Sequence, residues 1–168
     1  MNILVISDSH GYNDQIRKVL EKEKTFDILF HLGDLQCWED EIREMTDKPA
    51  LMVAGNCDLF SSLPEHLVTN MEGHRLFLTH GNHHGVSGGT GRLVRETIRH
   101  NCDIVLYGHT HMPSIQETAA GILVLNPGSV TYPRQSGRKA SYMLLELEKG
   151  KKPSARIKYL DESDWEEE

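Results

Sequence analysis

The stretch "NILVISDSH", residues 2–10, decides how the rest of the chain is read. Its first six residues are almost wholly apolar, as in a short strand buried on both faces of a parallel sheet. It then turns polar at once and delivers Asp8 and His10. The same plan recurs downstream. "DILFHL" (27–32) runs into Gly33 and Asp34, and "ALMVA" (50–54) runs into Gly55, Asn56, Cys57 and Asp58. Between these runs, residues 13–23 place Ile16, Val19 and Leu20 at helical spacing, with Asn13 as the expected N-cap. Residues 38–46 read as a second, polar helix. Strand, helix, strand, helix, strand predicts a parallel sheet with crossover helices.

The second half is patterned differently. "HLVTNMEGHRLFLTHG" (66–81) reads as a hairpin turning near Glu72 and Gly73 and ending at His80. Residues 90–100 group Leu93, Val94, Thr97 and Ile98 on one helical face. "DIVLYG" (103–108) is a further buried strand, followed at once by His109 and His111. The segments 114–118, 122–126, 140–147 and 154–160 read as strands of a largely antiparallel sheet. "GVSGGTG" (85–91) reads as a flexible connecting loop. The expected fold class is α/β, with two packed mixed sheets and helices on their outer faces.

Length and composition bound the function. At 168 residues with 38% hydrophobic and 26% charged content, the chain fits one compact domain. No apolar run approaches the ~20 residues that cross a bilayer, so no membrane partner is expected. The opening residues lack the basic segment of a signal peptide, and the expected location is cytoplasmic. A net charge of −7 argues against wrapping a long nucleic acid, which is expected only as a substrate end. Three scattered cysteines, with no C-x-x-C, suit free thiols in a reducing compartment. The closing "DESDWEEE" (161–168) reads as a solvated acidic tail after a single domain at 1–160.

The polar residues gather where strands end. Asp8 and His10, Asp34, Asn56, His80, and His109 with His111 would meet if their strands share one edge, because loops at the carboxyl ends of parallel strands collect there. Each motif alone is weak. Alternation in G-H-T-H would let both imidazoles chelate one centre. Together, carboxylate, imidazole and amide donors suit Mn, Fe, Co, Ni or Zn, with no thiolate required. Seven donors exceed the four of a structural zinc site. They suit two divalent ions that share a carboxylate.

Taken as a set, D-x-H (8–10), G-D (33–34), G-N-x-D (55–58), T-H-G (79–81) and G-H-T-H (108–111) resemble the calcineurin-like metallophosphoesterase superfamily, in particular its small bacterial and archaeal phosphodiesterases. "NPGSVTYPR" (126–134) resembles a loop of that subgroup. The resemblance runs to about residue 147 and implies a four-layer α/β/β/α sandwich. It also implies that Asp8, His10 and His111 hold one metal, that Asn56, His80 and His109 hold a second, and that Asp34 bridges them. The two histidines of G-H-T-H would then serve neighbouring ions. Manganese is placed first among the metals. The implied reaction is phosphodiester hydrolysis by in-line attack of a metal-bridging hydroxide, with a small phosphoester as the partner molecule.

Two positions depart from many relatives. Cys57 stands where a histidine is expected to protonate the leaving group, and a thiol (reference pKa ~8.5) is a less well matched acid than imidazole (~6.5). Cys57 and Asp58 are the candidate catalytic residues, with Asp58 and His31 also candidates to orient metal-binding histidines. Asn82 stands where close relatives often carry histidine, leaving His83 and His84 as candidate pocket residues, with Arg134 and Arg138 as candidate phosphate contacts. The alternative is a scaffold of the same fold, similar to a retromer subunit, that binds proteins without catalysis. Seven intact donor types favour the enzyme. Oligomeric state is not given by the sequence.

Overall fold

The computed structural model describes residues 1–160; the acidic tail expected at 161–168 lies outside the described residues. Two five-stranded mixed sheets pack face to face, with helices outside, as the sequence predicted. The first sheet starts with β1 (Asn2–Ile6), α1 (Asn13–Lys22), β2 (Ile28–His31), α2 (Glu39–Glu44) and β3 (Ala50–Met52). These strands are parallel, with Leu4 opposite Leu29 and Phe30 opposite Leu51. The second sheet begins with the hairpin β4 (His66–Met71) and β5 (His74–Thr79), which turns at Glu72 and Gly73, both at positive φ. Helix α3 (Gly91–Arg99) then crosses to β6 (Ile104–Leu106), parallel to β5.

The remaining strands are β7 (Ser114–Glu117), β8 (Leu123–Asn126), β9 (Ser141–Glu146) and β10 (Ser154–Tyr159). They do not form the single antiparallel sheet expected. β8 pairs parallel with β6 and antiparallel with β7, in the second sheet. β9 and β10 return to the first sheet, where β9 lies antiparallel to β1. The reason is burial. Met143 and Leu145 of β9 face the space between the sheets, while Tyr142 faces the helix side, so this strand needs cover on both faces.

Alternation along the strands builds three apolar layers. Ile3, Val5 and Phe30 meet Leu76, Leu78, Ile104 and Leu106 between the sheets. Leu4, Ile6 and Leu29 pack outward on Ile16 and Val19 of α1 and Ile42 of α2. Phe77, Val105 and Val124 pack outward on Leu93 of α3. The continuous apolar runs are therefore strands covered on both faces, which is why they lack polar alternation.

Local expectations fail where side chains find distant partners. The N-cap of α1 is Tyr12, without a side-chain cap, and Asn13 donates through Nδ2 to Glu41 Oε2 at 2.9 Å. Ile98, grouped with Leu93 and Thr97 on one face of α3, is 49% exposed while those two are buried. The loop 85–91 is less irregular than expected, because Asn82–His84 and Val86–Gly88 form 3-10 turns and Val86 is buried. All three cysteines are free.

One polar tie crosses the first sheet's outer face. The buried Glu23 carboxylate accepts the Tyr142 hydroxyl at 2.7 Å and the Lys158 ammonium. Burial alone would raise its pKa, but the hydrogen bonds and charge of Lys158 and Tyr142 outweigh it and hold it low. A carboxyl whose pKa is depressed by folding stabilises the fold fully above its unfolded value, and that contribution is lost as pH falls through the folded value. Glu23→Gln is expected to cost about 1–2 kcal/mol in urea unfolding at pH 7. Below about pH 4 the gap from the native chain should narrow.

Candidate metal centre

The polar residues that end the strands converge at one edge, but they come from both sheets rather than one. Asp8, Asp34 and Asn56 follow β1, β2 and β3 of the first sheet; His80, His109 and His111 follow β5 and β6 of the second. His111 Nε2 lies 3.1 Å from Asp8 Oδ1 and 3.3 Å from His10 Nε2. His80 Nε2 lies 3.3 Å from Asp34 Oδ2 and 3.8 Å from Asp8 Oδ1. His109 Nδ1 lies 3.0 Å from Asn56 Oδ1 and 3.3 Å from His80 Nε2. His111 therefore faces Asp8 and His10, while His109 faces Asn56 and His80. The two imidazoles of G-H-T-H address different groups. Asp34 Oδ2 lies 3.3 Å from His80 and 3.8 Å from His10, between the two sets.

The outer nitrogens of three rings are already committed. His10 Nδ1 donates to Gln36 Oε1 at 2.6 Å, His80 Nδ1 to the Leu32 carbonyl at 2.7 Å, and His111 Nδ1 to the Tyr132 carbonyl at 2.7 Å. A proton held on Nδ1 turns the Nε2 lone pair inward. Asp8 adds a second sign. Its Oδ2 accepts the Ser7 hydroxyl at 2.6 Å and the His109 N–H at 3.1 Å, but its buried Oδ1 has no hydrogen-bond partner. Buried carboxylate oxygens are rarely left without a donor. An orphaned carboxylate oxygen among inward lone pairs fits a divalent cation. Asp8, His10 and His111 form one group that could hold a metal ion, and Asp8, Asp34 and His80 another.

The electrostatics agree. Burial would raise the Asp34 pKa, but His80, through a hydrogen bond and its charge, and the Cys57 N–H outweigh burial and hold the carboxyl far below the usual range. Burial would lower His80, but Asp34 and Asp8 outweigh it and hold the ring above the ordinary histidine value. Both shifts have one cause: two buried carboxylates facing His80 favour positive charge at this point, a role a cation can fill. His109, with burial as the main cause and His80 beside it, is pushed down.

The sequence explains how the loops come this close. A Cβ at Gly55 would run into the Asp34 carboxylate, and one at Gly108 into Ser7 Oγ. Between them, the Asp8 N–H donates to the Gly33 carbonyl at 3.0 Å and the His10 N–H to the Asp34 carbonyl at 2.9 Å. Asp8, His10, Asp34, Gln36, His109 and His111 all adopt positive φ. Such backbone costs on the order of 1–3 kcal/mol per residue and persists only where surroundings enforce it. The loop at 126–134 supplies part of that enforcement. Ser129 Oγ donates to the Asp8 carbonyl at 2.8 Å and accepts the Tyr132 N–H at 2.7 Å. Asn126 Nδ2 donates to the Gly108 carbonyl at 3.1 Å.

Several candidates have partners outside the donor cluster. Asp58 does not face the centre: its carboxylate accepts the N–H groups of Gly55 (2.8 Å), Gln36 (2.8 Å) and Leu35 (3.2 Å), fastening the β3 loop to the β2 loop. Three amide donors tie this carboxylate to holding the two loops together. His31 is fully buried, pairs with Ser9 Oγ at 2.9 Å, and is held neutral, with burial pushing its pKa down to about 4. Exposed His83 lies 3.5 Å from Glu65, and His84 packs its ring edge on Phe77. Arg134 and Arg138 are exposed. Cys57 does border the centre. Its N–H donates to Asp34 Oδ1 at 2.8 Å, and its sulfur lies within 4.8 Å of donor atoms of His10 and Asp34. Burial first, then the Asp34 charge, pushes the thiol up to about 11. Gln36, Leu32 and Tyr132, which orient the rings, carry no signal in the sequence, since two of them act through backbone carbonyls.

Fold and site together define a two-sheet α/β protein with clustered nitrogen and oxygen donors that could hold metal ions. Residues 1–150 match the calcineurin-like phosphoesterase superfamily domain, and the chain belongs to that family. It is 30% identical over 164 residues to the Bacillus subtilis protein named probable metallophosphoesterase YsnB, covering 97% of this chain and 92% of that one. It is 28% identical to phosphodiesterase MJ0936 of Methanocaldococcus jannaschii over 147 residues, covering 76% and 83%. A Streptococcus pneumoniae TIGR4 structure described as a predicted phosphoesterase superposes with a TM-score of 0.76 at 27% identity, covering 94% and 97%. Vacuolar protein sorting 29 of Cryptosporidium parvum shares the fold, with a TM-score of 0.73 at 22% identity, covering 96% and 98%. Among the described residues, no helix is long and apolar enough to cross a membrane.

Ligand linkage gives a direct check. At a hundredfold excess over its Kd, a bound cation adds about 2.7 kcal/mol, which for a chain of this size raises Tm by about 5–10 °C. Manganese is expected to produce that rise, EDTA to reverse it, and Asp8→Asn to remove most of it while the chain still folds. An undiminished rise in the variant would place the metal elsewhere.

Proposed function

We propose that the chain is a phosphodiesterase. Asp8, His10 and His111 would hold one divalent cation and Asn56, His80 and His109 a second, with Asp34 between them. The observation that carries this reading is the orphaned Asp8 Oδ1, buried among imidazole nitrogens whose protons point outward. A bound metal pair supplies Lewis acidity toward phosphoryl oxygens and lowers the pKa of water. This chain's own residues do the orienting: Gln36 and the Leu32 and Tyr132 carbonyls fix three rings, and the Cys57 N–H holds Asp34. Manganese is the first choice of metal, and the partner is a small phosphoester.

Esters with good leaving groups, such as aryl phosphodiesters, are favoured over alkyl monoesters because of Cys57. Its thiol is protonated at neutral pH and borders the centre, but it gives up its proton reluctantly. A reluctant acid suits esters whose leaving group needs little protonation, such as aryl diesters. The name of the M. jannaschii relative supports the same reading. The protein-scaffold alternative is supported by the shared fold alone, and fold does not fix function.

The test compares the native chain with Cys57→His, each loaded with manganese. The native chain is expected to hydrolyse aryl phosphodiesters and to be slow on alkyl monoesters. In Cys57→His the alkyl rate should rise at least tenfold, less than the roughly 10²–10⁴-fold of a fully positioned acid, with little change on aryl esters. An unchanged preference would remove Cys57 as its cause. No turnover of any phosphoester, with metals bound, would favour the scaffold.

A further inference from the structure

A groove of about 500 Å³ opens where the loop after β2 meets the loop after β3. Gln36 and Cys57 line it, and both also border the metal centre: Gln36 holds His10, and the Cys57 sulfur lies within 4.8 Å of donor atoms of His10 and Asp34. The groove thus adjoins the metal centre at Gln36 and Cys57. Its size falls within the ~300–1,000 Å³ of small-molecule pockets.

The outer lining is apolar and aromatic. Trp38, Leu59 and Phe60 are 74%, 80% and 93% exposed, an unusual concentration of large apolar side chains left in water. The Trp38 backbone is anchored. The Trp38 N–H donates to Glu41 Oε1 at 3.1 Å, and Asn13 holds the other oxygen of that carboxylate at 2.9 Å. Asp58, whose carboxylate fastens the two loops, sits in the groove wall. The charged residues of the lining are Glu39, Asp40 and Asp58, with no lysine or arginine among them. Such a lining disfavours an anionic occupant and leaves a neutral, flat one as the best match.

We propose that this groove is the leaving-group pocket. Resting on the phosphodiesterase reading above, it packs an uncharged aromatic group of the ester between Trp38 and Phe60, while Glu39 and Asp40 disfavour leaving groups that carry further negative charge.

The experiment uses the manganese-loaded full chain and its Trp38→Ala, Phe60→Ala and Glu39→Gln/Asp40→Asn variants. Binding of phenylphosphonate and methylphosphonate is measured by calorimetry, alongside kinetics on bis(4-nitrophenyl) phosphate. Trp38→Ala and Phe60→Ala should each weaken phenylphosphonate binding about tenfold, as for loss of one stacking aromatic, and leave methylphosphonate unchanged. KM for the aryl diester should rise by a similar factor, with kcat within about twofold. Glu39→Gln/Asp40→Asn should tighten 4-carboxyphenylphosphonate severalfold and leave phenylphosphonate unaltered. Equal losses for phenyl and methyl ligands, or no loss for either, would overturn the pocket and mark the apolar mouth as a protein-contact face. A native chain that turns over no ester, yet binds phenylphosphonate through Trp38 and Phe60, would keep the pocket and end the enzyme reading.

Discussion

The structure turns on a set of electron pairs aimed at one another. Asp8 Oδ1 is buried without a donor, and the Nε2 atoms of His10, His80 and His111 lie within 3.1–4.0 Å of it. Packed alone, such atoms repel. Their proximity favours positive charge among them, and the two carboxylates accordingly raise the His80 pKa. The rest of the edge can be understood as what holds these atoms in place against their own repulsion.

That hold is built from backbone. Six residues of the centre sit at positive φ, spaced two apart as Asp8 and His10, Asp34 and Gln36, His109 and His111. Each pair lies on a loop that leaves a buried strand. Ser129 and Asn126 fasten the β1 and β6 loops from one side, and Asp58 fastens the β2 and β3 loops from the other. The strain is local, and the covered strands on both sides supply the stability that sustains it.

The same two-sheet frame occurs in vacuolar protein sorting 29, so the frame alone does not define chemistry. What separates the possibilities is the state of the edge: which donors are present, which protons point outward, and what the adjoining groove will admit. In this chain the donor types are all present, and the groove beside them is apolar and acidic.

Much of this was legible in the sequence, for a physical reason. A strand covered on both faces is necessarily a short apolar run, and a loop that must pass within contact distance of a carboxylate needs glycine. Such runs, each followed within a few residues by glycine or by metal-type donors, therefore betray both the layers and the edge. The sequence also carried the departure at Cys57. It could not say that β9 and β10 belong to the first sheet, because a buried strand such as β9 reads alike in either sheet and β10, an exposed edge strand, follows its partner. Nor could it say that Asp58 faces backbone amides, that His84 packs on Phe77, or that Trp38 and Phe60 share one mouth. Those outcomes depend on distances between residues far apart in the chain, and only the packing of one sheet on the other sets them.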